Sequence, residues 1–240
     1  STYFYSSNPT TNFTNNIALN SINKRVYGIS TVGTVTNAAN FTLGDESVGV
    51  LYNGTGTARN IANIRVGKSD VDNQNYAIGM ATKTGTVENA TGATITVGES
   101  GIGLFADGAN ARAINNGTIN LDGKNAMGMY LDNKAIGTNN GTIRVNGSQE
   151  GAIGVVVQHE AKLVNKGSII IDGKDGYAFF KATGGIIDNS GAISIQLTGG
   201  AKETYDPTSK PTSKTTGSVK INAPAGATPA TTSITVAGVP

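Results

Sequence analysis

Asp122 and Asp172 are the first residues in this chain whose type and spacing could do chemistry. Each opens an Asp-Gly dipeptide after a similar phrase, Gly117-Thr-Ile-Asn-Leu121 and Gly167-Ser-Ile-Ile-Ile171. If those phrases are copies of one stacked repeat, the two carboxylates lie two layers apart, roughly twice 4.8 Å, which suits an inverting acid and base pair. Asp-Gly is also a preferred turn dipeptide, and Asn146-Gly147 fills the same slot between them. Turn chemistry accounts for both aspartates without catalysis. His159 is the single histidine, a residue type suited to general-base work. Its neighbours, Val157-Gln-His-Glu-Ala161, supply no Ser or Asp partner, so the sequence predicts a solvated turn. Asp70 and Asp72 lie in a polar stretch, Lys68 to Asn75, that could offer oxygens to calcium. That stretch lacks the glycine and final glutamate of an EF-hand loop and the Gly-Gly-x-Gly-x-Asp pattern of calcium β-rolls. It reads as a surface loop, and no cofactor, metal site or catalytic residue is expected.

Composition narrows the classes further. With 33 Gly, no Cys, no Trp and 14% charged residues, the chain is poor in what a helix needs on its outer face and rich in strand and turn formers. Absence of cysteine excludes disulfides and thiol chemistry, and a lone histidine disfavours zinc. A net charge of +2, from scattered Lys and Arg, gives no footprint for nucleic acid. The longest apolar runs, Ile153 to Val157 and Ser168 to Ile171, are far short of the roughly 18 to 20 residues of a membrane-spanning helix. No secretory signal opens the chain, and residue 1 is expected to be a processed end or the boundary of an excerpt. Asn-x-Ser/Thr triplets at Asn12, Asn40, Asn53, Asn89, Asn116, Asn140 and Asn146 largely coincide with the repeat and are read as its by-products.

The elements that must position these residues come from the repeat. Ile95, Ile119, Ile143, Ile169 and Ile193 are separated by 24, 24, 26 and 24 residues, with looser copies at Ile17, Phe41 and Ile64. A period of that size means a solenoid, whose coils cannot fold alone. One strand per coil runs through pairs such as Ile119-Asn-Leu121. A second runs through Val48-Gly-Val50, Ile78-Gly-Met80, Ile102-Gly-Leu104, Met127-Gly-Met129 and Ile153-Gly-Val155. The residues flanking each glycine are expected to point inward and the glycine outward. The next outward column, Leu51, Ala81, Phe105, Tyr130 and Val156, then forms an apolar stripe on the outside, which either marks a contact surface or is covered by the loop insertions or a larger parent protein. A third strand ends on Asn89, Asn115, Asn139, Asn165 and Asn189, which stacking would join into a hydrogen-bonded ladder at a corner. Few leucines and glycine in every return argue against a leucine-rich repeat. The expected fold is all-β, a right-handed parallel β-helix of eight coils over residues 15–197, after a cap or junction at 1–14. An inserted surface loop at 198–216 and a further coil or cap at 217–240 complete the chain.

The phrases Asn-Asn-Gly-Thr-Ile, Ala126-Met-Gly-Met-Tyr130 and Ala152-Ile-Gly-Val155 resemble those of large autotransporter (type V secretion) adhesin passengers of Gram-negative anaerobes. The resemblance covers approximately residues 15–197. It implies a non-enzymatic β-helical stalk or binding region, extracellular and anchored to the outer membrane through another region. Its partner would be a host or bacterial surface protein or glycan. Extrusion from the rod makes Asp70, Asp72, Tyr205 and Asp206 the expected contact residues, with Phe105 and Tyr130 of the stripe beside them. Two alternatives remain open. The chain could be a fibre subunit joined end to end through Thr2-Tyr-Phe-Tyr5, or a polysaccharide lyase or glycoside hydrolase using Asp122.

Overall fold

Three faces of parallel strands, visited in turn, build the molecule. The computed structural model describes residues 1–205 and the strands Gly217–Ile221 and Thr232–Val236. A nine-stranded sheet runs from Thr2–Ser6 to Lys202–Tyr205. Two eight-stranded sheets complete the coil, one carrying the asparagine column and the other the isoleucine column. The result is a parallel β-solenoid of about eight turns, each of about 25 residues, with no helix among the described residues. Gly217–Ile221 pairs antiparallel with Thr232–Val236, apart from the three sheets.

Strand register confirms the isoleucine column in the middle of the rod, where Ile64, Ile95, Ile119, Ile143 and Ile169 pair in sequence. All five are at most 1% exposed, so each contributes about 1.5–3 kcal/mol through burial. At both ends the expected marker is displaced by two residues. Leu19 aligns with Phe41, and Ile195 with Ile169, while Ile17 and Ile193 are 71% and 75% exposed. A slip of two leaves a period-2 pattern intact, so alternation alone could not separate Ile193 from Ile195.

The glycine of the second strand faces inward, the reverse of the expectation. A Cβ on Gly79 would lie 2.5 Å from Ile95 Cγ2 and 2.5 Å from the Gly103 carbonyl oxygen. Gly103 and Gly128 repeat this against Ile119 and Ile143. The missing side chain is therefore the hole that the β-branched isoleucine fills. Met80, Leu104, Met129 and Val155 join the same inner core, but Ile78, Ile102, Met127 and Ile153 turn to the opposite face.

The asparagine column is longer than the sequence pattern shows. Asn15, Asn37, Asn60, Asn89, Asn115, Asn139 and Asn165 each pass a hydrogen bond from Nδ2 to the Oδ1 of the next asparagine, ending on Asn189, at 2.9 to 3.2 Å. The six from Asn37 to Asn165 are 0% exposed. Their amides also satisfy the bending backbone: Asn60 Nδ2 donates to the Ala62 carbonyl and Asn115 Nδ2 to that of Gly117. Buried polar groups of this kind persist only when paired.

Candidate functional site

The face outside the nine-stranded sheet carries the expected apolar stripe, but it is not exposed. Phe105 and Tyr130 are 0% exposed, and their rings lie 5.9 Å apart. They belong to a second apolar cluster with Leu51, Ile102, Met127, Ile153, Val156 and Phe180. The expectation that they offer an open contact surface is corrected: both faces of this sheet are packed, as parallel sheets require. Tyr205 is likewise corrected. It is 2% exposed, not extruded, and sits in the strand Lys202–Tyr205, where the sequence pattern predicts a loop. Its ring lies 5.3 Å from that of Tyr177 and 5.2 Å from that of Phe180. Asp206, and residues 206–216 of the expected loop, lie outside the described residues.

Asp70 and Asp72 do stand at the surface. The insertion that stretches the coil spacing to 31 residues between Ile64 and Ile95 is a clamped turn. Ser69 Oγ donates to the Ser100 carbonyl at 2.7 Å and accepts from Ala77 N at 2.9 Å. Asp70 and Asn75 form an antiparallel bridge, and Tyr76 buries its ring at 3% exposure. Two bonds from Asn73, first from its side chain and then from its amide, hold the Asp70 carboxyl below the usual range. Asp70 and Asp72 line a depression of about 330 Å³ with Lys24, Lys68, Glu46 and Glu99, so the loop presents mixed charge on a fixed base.

Asp122 is engaged structurally. Arg65 Nη2 meets its Oδ2, and Asn146 Nδ2 donates to Oδ1 at 3.0 Å. The carboxylate thus ties three layers of the rod together. Its ion pair and hydrogen bond give it a structural role, and Asp122→Asn is expected to leave the release of reducing ends from polysaccharides the same as in the parent chain. A reducing-end assay over a polysaccharide panel checks this.

A second cluster, which sequence reading missed, lies where the nine-stranded sheet turns toward the asparagine sheet. Strands Ile102–Asp107 and Met127–Asp132 end on aligned aspartates, 4% and 2% exposed. Asp107 accepts from Asn133 Nδ2 at 2.8 Å and faces Lys83 Nζ at 3.8 Å. Asp132 Oδ1 meets His159 Nδ1 at 2.6 Å and accepts from Asn133 N at 2.9 Å. Gln158 Nε2 donates to the Tyr130 hydroxyl at 2.6 Å and reaches Asp132 Oδ2 at 3.4 Å. His159 is therefore no isolated turn residue. Its partner lies 27 positions earlier in sequence, one coil away, which no local motif reveals.

The turns here are unusual. Asn133 and Lys134, His159 and Glu160, and Thr183 and Gly184 all have positive φ, from 42° to 75°. Stacked left-handed pairs form a corner that leaves a depression of about 490 Å³, lined by those six residues. Lys134 faces Glu160 at 3.8 Å across it. An aspartate orienting an imidazole is one part of a general base. Here the carboxylate is buried and shared among His159, Asn133 and Gln158, so the arrangement ties the turns of adjacent coils together at this corner. Among the described residues, no three His, Cys, Asp or Glu side chains are grouped to hold a metal ion.

Burial pushes the Asp132 carboxyl upward, offset in part by the bond from His159. A raised carboxyl pKa means that the folded chain binds the proton more tightly than the unfolded chain. The cost of the buried charge is present at neutral pH and is relieved as pH falls through the folded value. His159→Ala removes the offset and is expected to cost about 1–2 kcal/mol at pH 7. In that variant the urea midpoint rises between pH 7 and pH 5, and adding Asp132→Asn abolishes the rise.

Stacked parallel strands, a continuous core and loops confined to corners define a pectate lyase-like β-helix domain. Residues 5–127 and 120–226 match the family described as the BigA third pectate lyase-like domain, and the chain belongs to it. No curated protein and no solved structure matches significantly. The family description refers to a fold, and catalysis does not follow from it.

Proposed function

We propose that this chain is a non-enzymatic, extracellular binding segment of a surface protein, of the adhesin type, whose β-helix holds the insertion at Ser69 to Tyr76 away from the anchored end. The observation that carries this reading is the clamped insertion. Val71, Asp72 and Asn73 are exposed, while Ser69 and Tyr76 on either side are buried. A loop fixed at its base presents side chains at little entropic cost on binding, which is what a contact site requires. Membership of the BigA domain family supports a surface location. Secretion as an autotransporter passenger and anchoring in the outer membrane through another region extend the same reading. The partner chemistry that fits is a host or bacterial surface protein or glycan that meets mixed charge.

Cell binding by bead-coupled chain under flow tests this. Replacing Asp70 and Asp72 with Ala is expected to reduce bead retention at least several-fold, with the urea midpoint lowered only slightly by loss of the Asn73 bonds to Asp70. Unchanged retention sinks the assignment of the insertion. The fibre reading has its own observation: Tyr3, Phe4 and Tyr5 are 54%, 37% and 44% exposed on a strand whose sheet continues on one side only. Exposed edges template pairing. Concentration-dependent filaments in electron micrographs, lost in Phe4→Lys, would select it.

A further inference from the structure

The corner where the isoleucine sheet turns into the nine-stranded sheet carries a ladder of its own. At each coil the amide after the corner residue donates to the carbonyl of the next coil's corner residue, at 2.8 to 3.0 Å. The bonds run from Arg25 N to Asp45, Glu46 N to Lys68, Ser69 N to Glu99, Ser100 N to Lys124, Asn125 N to Glu150 and Gly151 N to Lys174. The corner column is therefore Lys24, Asp45, Lys68, Glu99, Lys124, Glu150 and Lys174. Its charge changes sign at every rung, so coils stacked about 4.8 Å apart carry a pattern that repeats every second coil.

Asp45 is half-buried and the other members of the column are exposed. Lys124 meets Glu99 at 3.9 Å and Lys174 meets Glu150 at 3.6 Å, with side chains 46% to 71% exposed. Ion pairs this open to water add little to the stability of the rod. Alternation does avoid stacking like charges, but an uncharged column avoids them equally well, and the adjoining sheet has one in Thr94, Thr118, Thr142, Ser168 and Ser194. The insertion that begins at Ser69 interrupts the corner after Lys68. From Glu99 to Lys174 the stripe runs clear of it for three coil spacings, about 14 Å. Of the residues that follow these four rungs, Ser100, Asn125 and Gly151 are uncharged and Asp175 alone adds a charge.

A stripe that reads minus, plus, minus, plus is its own complement when turned end for end. With a two-fold axis between the rungs of Lys124 and Glu150, Glu99 faces Lys174 of a second copy and Lys124 faces its Glu150, each twice by symmetry. A slide of one coil sets like charge against like along the whole stripe. Parallel copies also match after a one-coil slide, but that relation is a screw and does not close, whereas the antiparallel one is an isologous pair. We propose that the corner stripe Glu99, Lys124, Glu150 and Lys174 is a self-recognition surface, whose partner is the same stripe of a second, antiparallel copy of this chain. Antiparallel rods tethered by the same end reach toward each other from facing surfaces, so the contact joins surfaces that carry the chain. The surface is distinct from the insertion and does not rest on the assignment made there. One such contact is small and screened by salt, and it acts through the number of rods that engage together.

Beads coupled to the full chain through its C-terminal end test this by clumping, scored by microscopy. Parent beads are expected to clump at low salt and disperse at high salt. Glu99→Lys with Lys124→Glu keeps net charge and composition but sets like against like across the two-fold axis, as does Glu150→Lys with Lys174→Glu. Each variant alone should clump several-fold less than the parent, and a mixture of the two, whose stripes are complementary, should recover parent clumping. That recovery also shows that both variants are folded. Asp70→Ala with Asp72→Ala, which tests the insertion, should clump as the parent does. Parent beads that stay dispersed overturn the proposal, as do swap variants that clump alone like the parent or stay dispersed when mixed. Loss of clumping in the Asp70 and Asp72 variant overturns it too, by moving the contact to the insertion.

Discussion

Asn115→Ala is expected to cost about 3 kcal/mol, whereas Asn15→Ala, the same change in the same column, should cost about 1 kcal/mol or less. Asn115 is 0% exposed and accepts from Asn89 Nδ2 while donating to Asn139 Oδ1, the Gly117 carbonyl and the Thr142 carbonyl. Truncation strands acceptors that water cannot reach, and the penalty for such groups exceeds the net value of the bond. Asn15 is half-buried at the first rung, so water replaces its partner. Coils in a solenoid stabilise each other through nearest neighbours, so a loss at mid-rod also weakens the link between the halves. Urea unfolding followed by circular dichroism should show a lower midpoint for Asn115→Ala and a shallower slope, as the halves begin to melt separately.

Gly128→Ala should be nearly as damaging, at about 2–3 kcal/mol. The added methyl would sit 2.5 Å from the Gly154 carbonyl oxygen and 2.5 Å from Ile143 Cγ2, and neither can move without disturbing the next coil. The protein itself shows when the change is tolerated. Ala178 takes the glycine position in the coil after Gly154, near the end of the column, where the following inner residue, Ile195, is only partly buried. Gly147→Ala provides the contrast. Nothing lies within 4 Å of its added Cβ, so its cost would come only from a φ of +68°. Ile143→Val in the Gly128→Ala background should recover part of the loss only if Val presents less bulk toward residue 128. Thermal midpoints of the single and double variants measure that coupling.

The repeat made the coil, the three strands and the asparagine ladder legible, because each depends on residues that recur in register. Ile95, Ile119, Ile143 and Ile169 needed only a period, and Asn89 to Asn165 needed only a column. What failed was the direction of the side chains at Gly79 and its equivalents. Alternation assumes an unbroken pleat, and the strand bends at the glycine, so Ile78 and Met80 face opposite cores despite their spacing of two. The same bend sends Phe105 and Tyr130 to the outer face, as the sequence suggested, but nothing in their own pattern says that this face is covered. The Asp132 and His159 pair was hidden for a different reason. It joins residues of adjacent coils that are not equivalent in the repeat, one at a strand end and one in the following turn. Asp122 shows the opposite case, where a residue considered for chemistry is held by Arg65 and Asn146 of other coils.

The asparagine ladder also has a direction. Every rung donates toward the higher-numbered coil, so the side-chain amide dipoles add along the axis instead of cancelling. At the low-numbered end the carboxamide oxygen of Asn15 faces only its own turn, accepting from Ile17 N at 3.2 Å. At the other end Asn189 has received a bond through its oxygen and retains its nitrogen for donation. A coil that carries an asparagine in this column can therefore join either end with the polarity preserved. A coil stacked the other way would set oxygen against oxygen or nitrogen against nitrogen. Seven short amide contacts thus give an otherwise uniform rod a chemical arrow, which fixes the orientation of whatever extends it.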